Sequence, residues 1–95
     1  MRFDDVDYSS LPNHMQEGAS DYVSKGSLPG GFLMAVLSND LVGAFGQADI
    51  INTHAMRDWA AWLHNEAPSE CWGSREKVYA WGVARRAEAE VVPHG

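Results

Sequence analysis

The chain has one cysteine, Cys71, so it cannot form an internal disulfide. Small secreted domains usually depend on disulfides, and we therefore expect a reducing, cytoplasmic location. The first ten residues, MRFDDVDYSS, are acidic and lack the apolar segment of a signal peptide. The longest apolar run, FLMAVL, is far too short to span a bilayer. These features predict no membrane association.

Basic side chains are scarce: 7 Lys and Arg stand against 13 Asp and Glu, which gives a formal net charge of −6 at pH 7. Residues 1–70 carry ten acidic and three basic side chains, whereas residues 71–95 carry three and four. An acidic surface repels phosphate backbones and anionic lipids. We therefore expect no direct binding to nucleic acid.

No segment shows the alternation of a β-strand, and no internal repeat or low-complexity stretch is present. With 95 residues there is room for one core. The pattern predicts an all-α fold, a compact bundle of four to five short helices with an extended acidic N-terminal arm. Residues 1–10 form the arm, 11–90 the single helical domain and 91–95 a tail.

Turn and cap residues place the helix boundaries. Gly26 is suited to end a first helix that begins near Pro12. In the segment 32–48, the helix-competing residues 38–40 predict a break, with Ser38 or Asn39 as the new cap. A second apolar stripe follows the break; its members are Leu41, Ala44, Phe45 and Ala48.

The next segment, INTHAMRDWAAWLHNEAP, has the clearest helical spacing. Asn52 or Thr53 is expected to cap this helix and Pro68 to end it. Trp62 lies at the edge of the apolar stripe, where it either belongs to the core or is partly exposed at an interface. The last helix is expected to run from Ser74 to about Glu90.

Cys71 is the one candidate nucleophile, with His64 seven positions upstream and Glu70 beside it. Nothing else in the sequence completes a catalytic set, and a free cysteine is most often simply buried. We interpret APSECWGS as a turn in which Cys71 and Trp72 fill a gap between helices. The prediction is therefore a protein that is not an enzyme and has no catalytic residues.

The histidines do not form a metal-binding motif: His14, His54, His64 and His94 are scattered along the chain. His54 and Asp58 are spaced to share a helix face, which favours a surface hydrogen bond over a metal site. No metal and no cofactor are expected.

An alternative function is a helix-turn-helix regulator of transcription, because DLVGAFGQADIINTHAMRDWAAWL has the outline of that motif. Its second helix offers DNA only one basic side chain, Arg57, which is followed by the acidic Asp58. Since phosphate contacts dominate affinity for DNA, this alternative ranks second.

Acidic residues cluster in DDVD and recur in the first helix, with aromatic side chains nearby. This combination indicates a binding site for a protein partner whose own surface is basic. The candidate partner-binding residues are Phe3, Asp4, Asp5, Asp7, Tyr8, Glu17, Asp21 and Trp62. The oligomeric state stays open.

The motifs PGGFLMAVLSNDLVGAFGQAD, WLHNEAP and CWGSREKVYAW resemble a group of small proteins encoded by tailed phages and prophages. The similarity covers about residues 11–81 and brings no catalytic residues with it. It implies a phage-encoded protein acting in the cytoplasm of a bacterial host cell. Small acidic phage proteins often bind a host or phage machine, and some of them, including anti-CRISPR proteins, inhibit host defence.

Overall fold

The computed structural model describes the backbone of residues 5–90 and the side chains of residues 5–88. This part of the chain holds six α-helices and one short 3₁₀ helix at Ser69–Cys71. The α-helices are α1 (Asn13–Lys25), α2 (Gly31–Leu37), α3 (Leu41–Gln47), α4 (Ile50–His54), α5 (Met56–Asn65) and α6 (Arg75–Glu90).

The predicted all-α fold is confirmed for the described residues, but they contain six α-helices where four to five were expected. The segment predicted as one helix divides at Ala55 into α4 and α5. Asp49, not Asn52 or Thr53, caps α4, because its carboxylate accepts the Asn52 N–H at 2.7 Å. Asn52 instead lies inside α4, buried, and its side-chain oxygen accepts the Trp59 indole N–H at 3.1 Å.

The predicted break at 38–40 is confirmed, with α2 ending at Leu37 and α3 beginning at Leu41. Asn39 has a φ of 63°, a left-handed conformation that asparagine tolerates better than most residues. The new cap is Asp40, whose carboxylate accepts the Gly43 N–H at 2.9 Å. The sequence therefore predicted the bend correctly and misplaced its cap by one or two residues.

The core is centred on α2, in which every residue from Phe32 to Leu37 is buried. Helix α3 packs against α2, and α1 packs against α6. The second pairing is close because α1 ends at Gly26, with a φ of 78°, where a Cβ atom would meet the Gly82 carbonyl oxygen at 2.5 Å. Trp81 joins the two helices by donating its indole N–H to the Val23 carbonyl at 3.1 Å.

The segment between α5 and α6 is the predicted turn, tied at two points to the core. The Tyr22 hydroxyl donates to the Cys71 carbonyl at 2.7 Å, and the Gly73 N–H donates to the Leu37 carbonyl at 2.8 Å. Cys71 is fully buried, as predicted, and Trp72 is partly buried against the core. Among residues 5–90, no helix combines the length and apolarity needed to cross a membrane.

Candidate partner-binding surfaces

Asp7, in the described part of the predicted arm, contacts the body of the protein near the end of α5. The Asp7 main-chain N–H donates to the Glu66 carboxylate at 3.1 Å, so two acidic side chains lie on the same part of the surface. The Asp7 carboxylate accepts the Ser9 N–H at 2.9 Å, and this bond holds the pKa of Asp7 below its usual value. Asp5 is also exposed. The predicted contacts Phe3 and Asp4 lie outside the described residues.

Tyr8 attaches the arm to α1 and α5. Its ring centroid lies 5.7 Å from that of Trp62, and its hydroxyl is close to Ser20 and Ser24 on α1. The ring is only partly exposed, and burial raises the pKa of its hydroxyl. Tyr8 therefore positions Asp7 beside α1, and only part of its ring remains for a partner.

Trp62 belongs to the core, the first of its two interpretations, because it is 1% exposed, and its choice as a partner contact is therefore wrong. Its ring packs edge-on against Trp59, with the centroids 6.0 Å apart, and under Tyr8. The helical spacing placed Trp62 at the edge of the apolar stripe, but the arm covers that edge. Trp62 therefore supports the surface from below and is not available to a partner.

Helix α1 contributes two of the predicted acidic residues, one turn apart. Glu17 is exposed, and the Asp21 carboxylate lies 3.6 Å from the ammonium group of Lys25. We define the acidic surface as Asp7, Glu17, Asp21 and Glu66. These carboxylates come from the arm, α1 and the residue after α5, and Lys25 is the base that pairs with one of them.

An open cleft of about 500 Å³ adjoins Asp21 and adds a second carboxylate, that of Asp49, to this side. It lies between α1, the loop before α2 and the junction of α3 with α4, and its charged lining includes Asp21 and Asp49. The Asp49 carboxylate lies 3.1 Å from the His14 imidazole. The hydrogen bond from the Asn52 N–H is the main cause that lowers the pKa of Asp49.

A different surface lies on α3 and α5, where an open groove of about 270 Å³ is lined mainly by apolar side chains. Trp59 and Leu63 form part of its lining from the core. We define the apolar groove by the side chains that border it from the two helices. These are Leu41, Ala44 and Phe45 on α3, and Met56, Arg57 and Ala60 on α5.

The predicted apolar stripe on α3 is only partly covered by the core. Only Ala44 is buried, while Leu41 and Phe45 are 66% and 48% exposed. The small Ala44 side chain lets α3 approach α2 closely, so the larger side chains are left at the edge of the contact. Helical spacing identified the apolar residues but could not show which of them α2 would cover.

Cys71 and His64 do not form a catalytic pair among the described residues. Cys71 is fully buried, and His64 is exposed on α5 with no hydrogen bond to the thiol. Burial, followed by the nearby Glu70 charge, raises the pKa of the Cys71 thiol to about 12. A thiol in this environment stays protonated near neutral pH, which is the opposite of what a nucleophile requires.

The outline of a helix-turn-helix is present from α3 to α5, but the second helix is divided at Ala55. Arg57, its one base, borders the apolar groove. No group of three or more potential metal ligands is found within residues 5–88.

Comparison of the chain with family models, curated proteins and solved structures yields no match.

Proposed function

We propose that the protein is a non-enzymatic, protein-binding factor that occupies a basic surface on a host or phage protein. The observation that supports this most strongly is the acidic surface, in which the Asp7 N–H binds the Glu66 carboxylate, and Asp21 on α1 pairs with Lys25, the one lysine shown beside these carboxylates. Such an arrangement gains little fold stability from its charges. Its physical effect is to attract and orient a partner of opposite charge.

The ionisation of the acidic surface also suits this role. The Ser9 N–H keeps the pKa of Asp7 below its usual value, so Asp7 remains negative at any physiological pH. The cleft beside Asp21 gives the surface a concave shape as well as charge. A lysine or arginine of the partner would find both a carboxylate and a recess there.

The resemblance to small phage and prophage proteins supports a setting for this function. In the proposal, the protein is made by a phage in the bacterial cytoplasm and inhibits or modulates a host machine, as anti-defence proteins of the anti-CRISPR type do. Occupying a basic surface that normally holds nucleic acid would be enough for inhibition, because the two ligands would compete for the same charges.

Two variants of equal net charge test the proposal. The first, the acidic-surface variant, combines Asp7→Asn, Glu17→Gln and Glu66→Gln. These amides keep the acceptor oxygens that bind the Ser9 and Asp7 N–H groups. The second, the control variant, combines Asp58→Asn, Glu70→Gln and Glu76→Gln at exposed positions on α5, the 3₁₀ helix and α6. Each variant removes three negative charges, so they differ only in where the charge is lost.

Wild type and both variants are immobilised and exposed to lysate of a bacterial host. We expect one or more proteins to be retained by wild type and by the control variant, to elute as salt rises, and to be lost from the acidic-surface variant. Equal retention by the two variants would contradict the proposal, since net charge alone would then explain the binding.

A further inference from the structure

Helix α3 presents an exposed apolar ridge formed by Leu41, Val42 and Phe45. Val42 is 83% exposed and Leu41 66%. Phe45 is the helix-surface neighbour of both other residues, at spacings of four and three positions. Leu41 and Phe45 also border the apolar groove. Contiguous apolar surface of this kind marks an interaction site in soluble proteins.

The ridge and the groove lie side by side, because α3 carries the ridge and also forms one wall of the groove. This arrangement is self-complementary. A two-fold axis between them places the ridge of each copy in the groove of the other, which is the symmetry of an isologous dimer. Ala44 and Ala60 leave room in the groove for the larger side chains of a ridge.

The charges that line the groove are also self-complementary. They are Asp40 on one helix and Arg57 on the other, one of each sign. Arg57 is the single lysine or arginine between Lys25 and Arg75, and it forms no ion pair with another described residue. In a two-fold pair, Arg57 of each copy faces Asp40 of the other.

We propose that the apolar groove binds a second copy of this chain, giving a symmetric homodimer. A chain of net charge −6 repels its own copies over most of its surface. The groove is a face where this repulsion is locally absent, because its lining carries one charge of each sign, Asp40 and Arg57, which a two-fold pair can match. The acidic surface lies on the arm, α1 and the residue after α5, so it stays open in each copy. This inference does not depend on the proposed function.

Sedimentation equilibrium from micromolar to millimolar chain concentration tests the dimer, with Val42→Asp as the disrupting variant. Val42 lies in the first turn of α3, where an aspartate suits the helix dipole, so the fold should be retained. Val83→Asp on α6 is the matched control, because Val83 is 59% exposed and does not border the groove. We expect a wild-type dimer that persists as salt rises, since apolar contacts are not screened.

Val42→Asp is expected to weaken dimerisation at least about tenfold, because each copy would bury an unpaired carboxylate. Val83→Asp should dimerise as wild type does. If circular dichroism shows that Val42→Asp has lost its helices, Arg57→Glu decides instead, with an expected weakening of about tenfold from two new like-charge contacts. Three results would each overturn the proposal: a monomeric wild type, a groove variant that folds and dimerises normally, or dissociation of the dimer by Val83→Asp. A monomeric wild type would overturn it also if the groove binds a different protein.

Discussion

The acidic surface and the apolar groove are built on the same core but differ in charge and in the range of the forces they exert on a partner. Trp62 lies beneath the arm of the acidic surface, and Trp59 lies beneath the groove. The acidic surface exposes carboxylates, whose field extends over about 8–10 Å at ordinary salt. The groove exposes aliphatic and aromatic side chains, which act only at contact. The comparison teaches that one small domain can offer two binding modes with opposite responses to salt.

The largest expected effect concerns the tryptophan under the acidic surface. Trp62→Ala should lower the free energy of unfolding by about 3–5 kcal/mol, because it removes a large buried ring that packs on Tyr8 and Trp59. Urea denaturation measures this. Val83→Ala, at an exposed site, is the control and should change stability by less than about 0.5 kcal/mol. A loss below about 1 kcal/mol for Trp62→Ala would mean that the ring is a surface contact after all.

The buried Cys71 thiol predicts a decrease of stability with rising pH. Below about pH 8.5 the Cys71 thiol is neutral in the folded and unfolded states, so its contribution is complete. Above that pH only the unfolded chain releases the proton, because burial raises the folded pKa to about 12. Stability should fall by about 1.4 kcal/mol per pH unit between about pH 9 and 10.

The measurement is a set of urea titrations of wild type and Cys71→Ala across that range. The variant should lack the extra slope. Above about pH 10 the slope should steepen in both proteins, since burial also raises the pKa of Tyr22. Parallel curves for wild type and Cys71→Ala below about pH 10 would show that the thiol is not buried as described.

The cap of α4 lies between the two surfaces and should have a moderate effect. Asp49→Ala removes the side chain that accepts the Asn52 N–H and lies beside His14. We expect a loss of about 1 kcal/mol, as for other helix caps. Asp58→Ala, in the first turn of α5 without a cap bond, should cost only a few tenths. Equal losses in thermal denaturation would show that charge, and not the cap, is responsible.

The smallest expected effect is that of the acidic surface on stability. The acidic-surface variant and the control variant should each unfold within about 0.5 kcal/mol of wild type, because exposed charges contribute little to folding. Paired urea curves check this at low and ordinary salt. If the acidic-surface variant were more stable than wild type by clearly more than about 0.5 kcal/mol, the expectation would be wrong. The carboxylates would then repel one another strongly enough to destabilise the folded state.

The sequence predicted features governed by local chemistry. Gly26 ends α1 because a left-handed residue is required there, and the side chains at 38–40 favour a bend wherever they occur. The burial of Cys71 also followed from its position between Pro68 and Ser74. These features depend on residues close together in the chain, so reading the chain locally was sufficient.

The features that were missed depend on contacts between distant segments. Trp62 is buried because the arm passes over it, and Leu41 and Phe45 are exposed because α2 meets α3 at Ala44. Helical spacing assigns a residue to a face but does not determine which faces are covered. The segment VGAFG, in which small residues stand between large apolar ones, was the one local signal of a groove. Where the groove lies depends on how α3 and α5 pack, which the segment alone does not determine. The role of four acidic residues of the predicted partner-binding set stays a prediction. Asp5, Asp7 and Glu17 are exposed, and Asp21 is partly exposed.

The central claim is that recognition depends on the acidic surface. Its most direct test uses the protein that wild type retains from lysate, after purification, and measures how its affinity for the chain depends on salt. Titrations at several salt concentrations compare wild type, the acidic-surface variant and the control variant. We predict that affinity falls steeply with salt for wild type and the control variant, and that the acidic-surface variant binds weakly with a much shallower dependence. The same affinity and slope for all three proteins would contradict the claim.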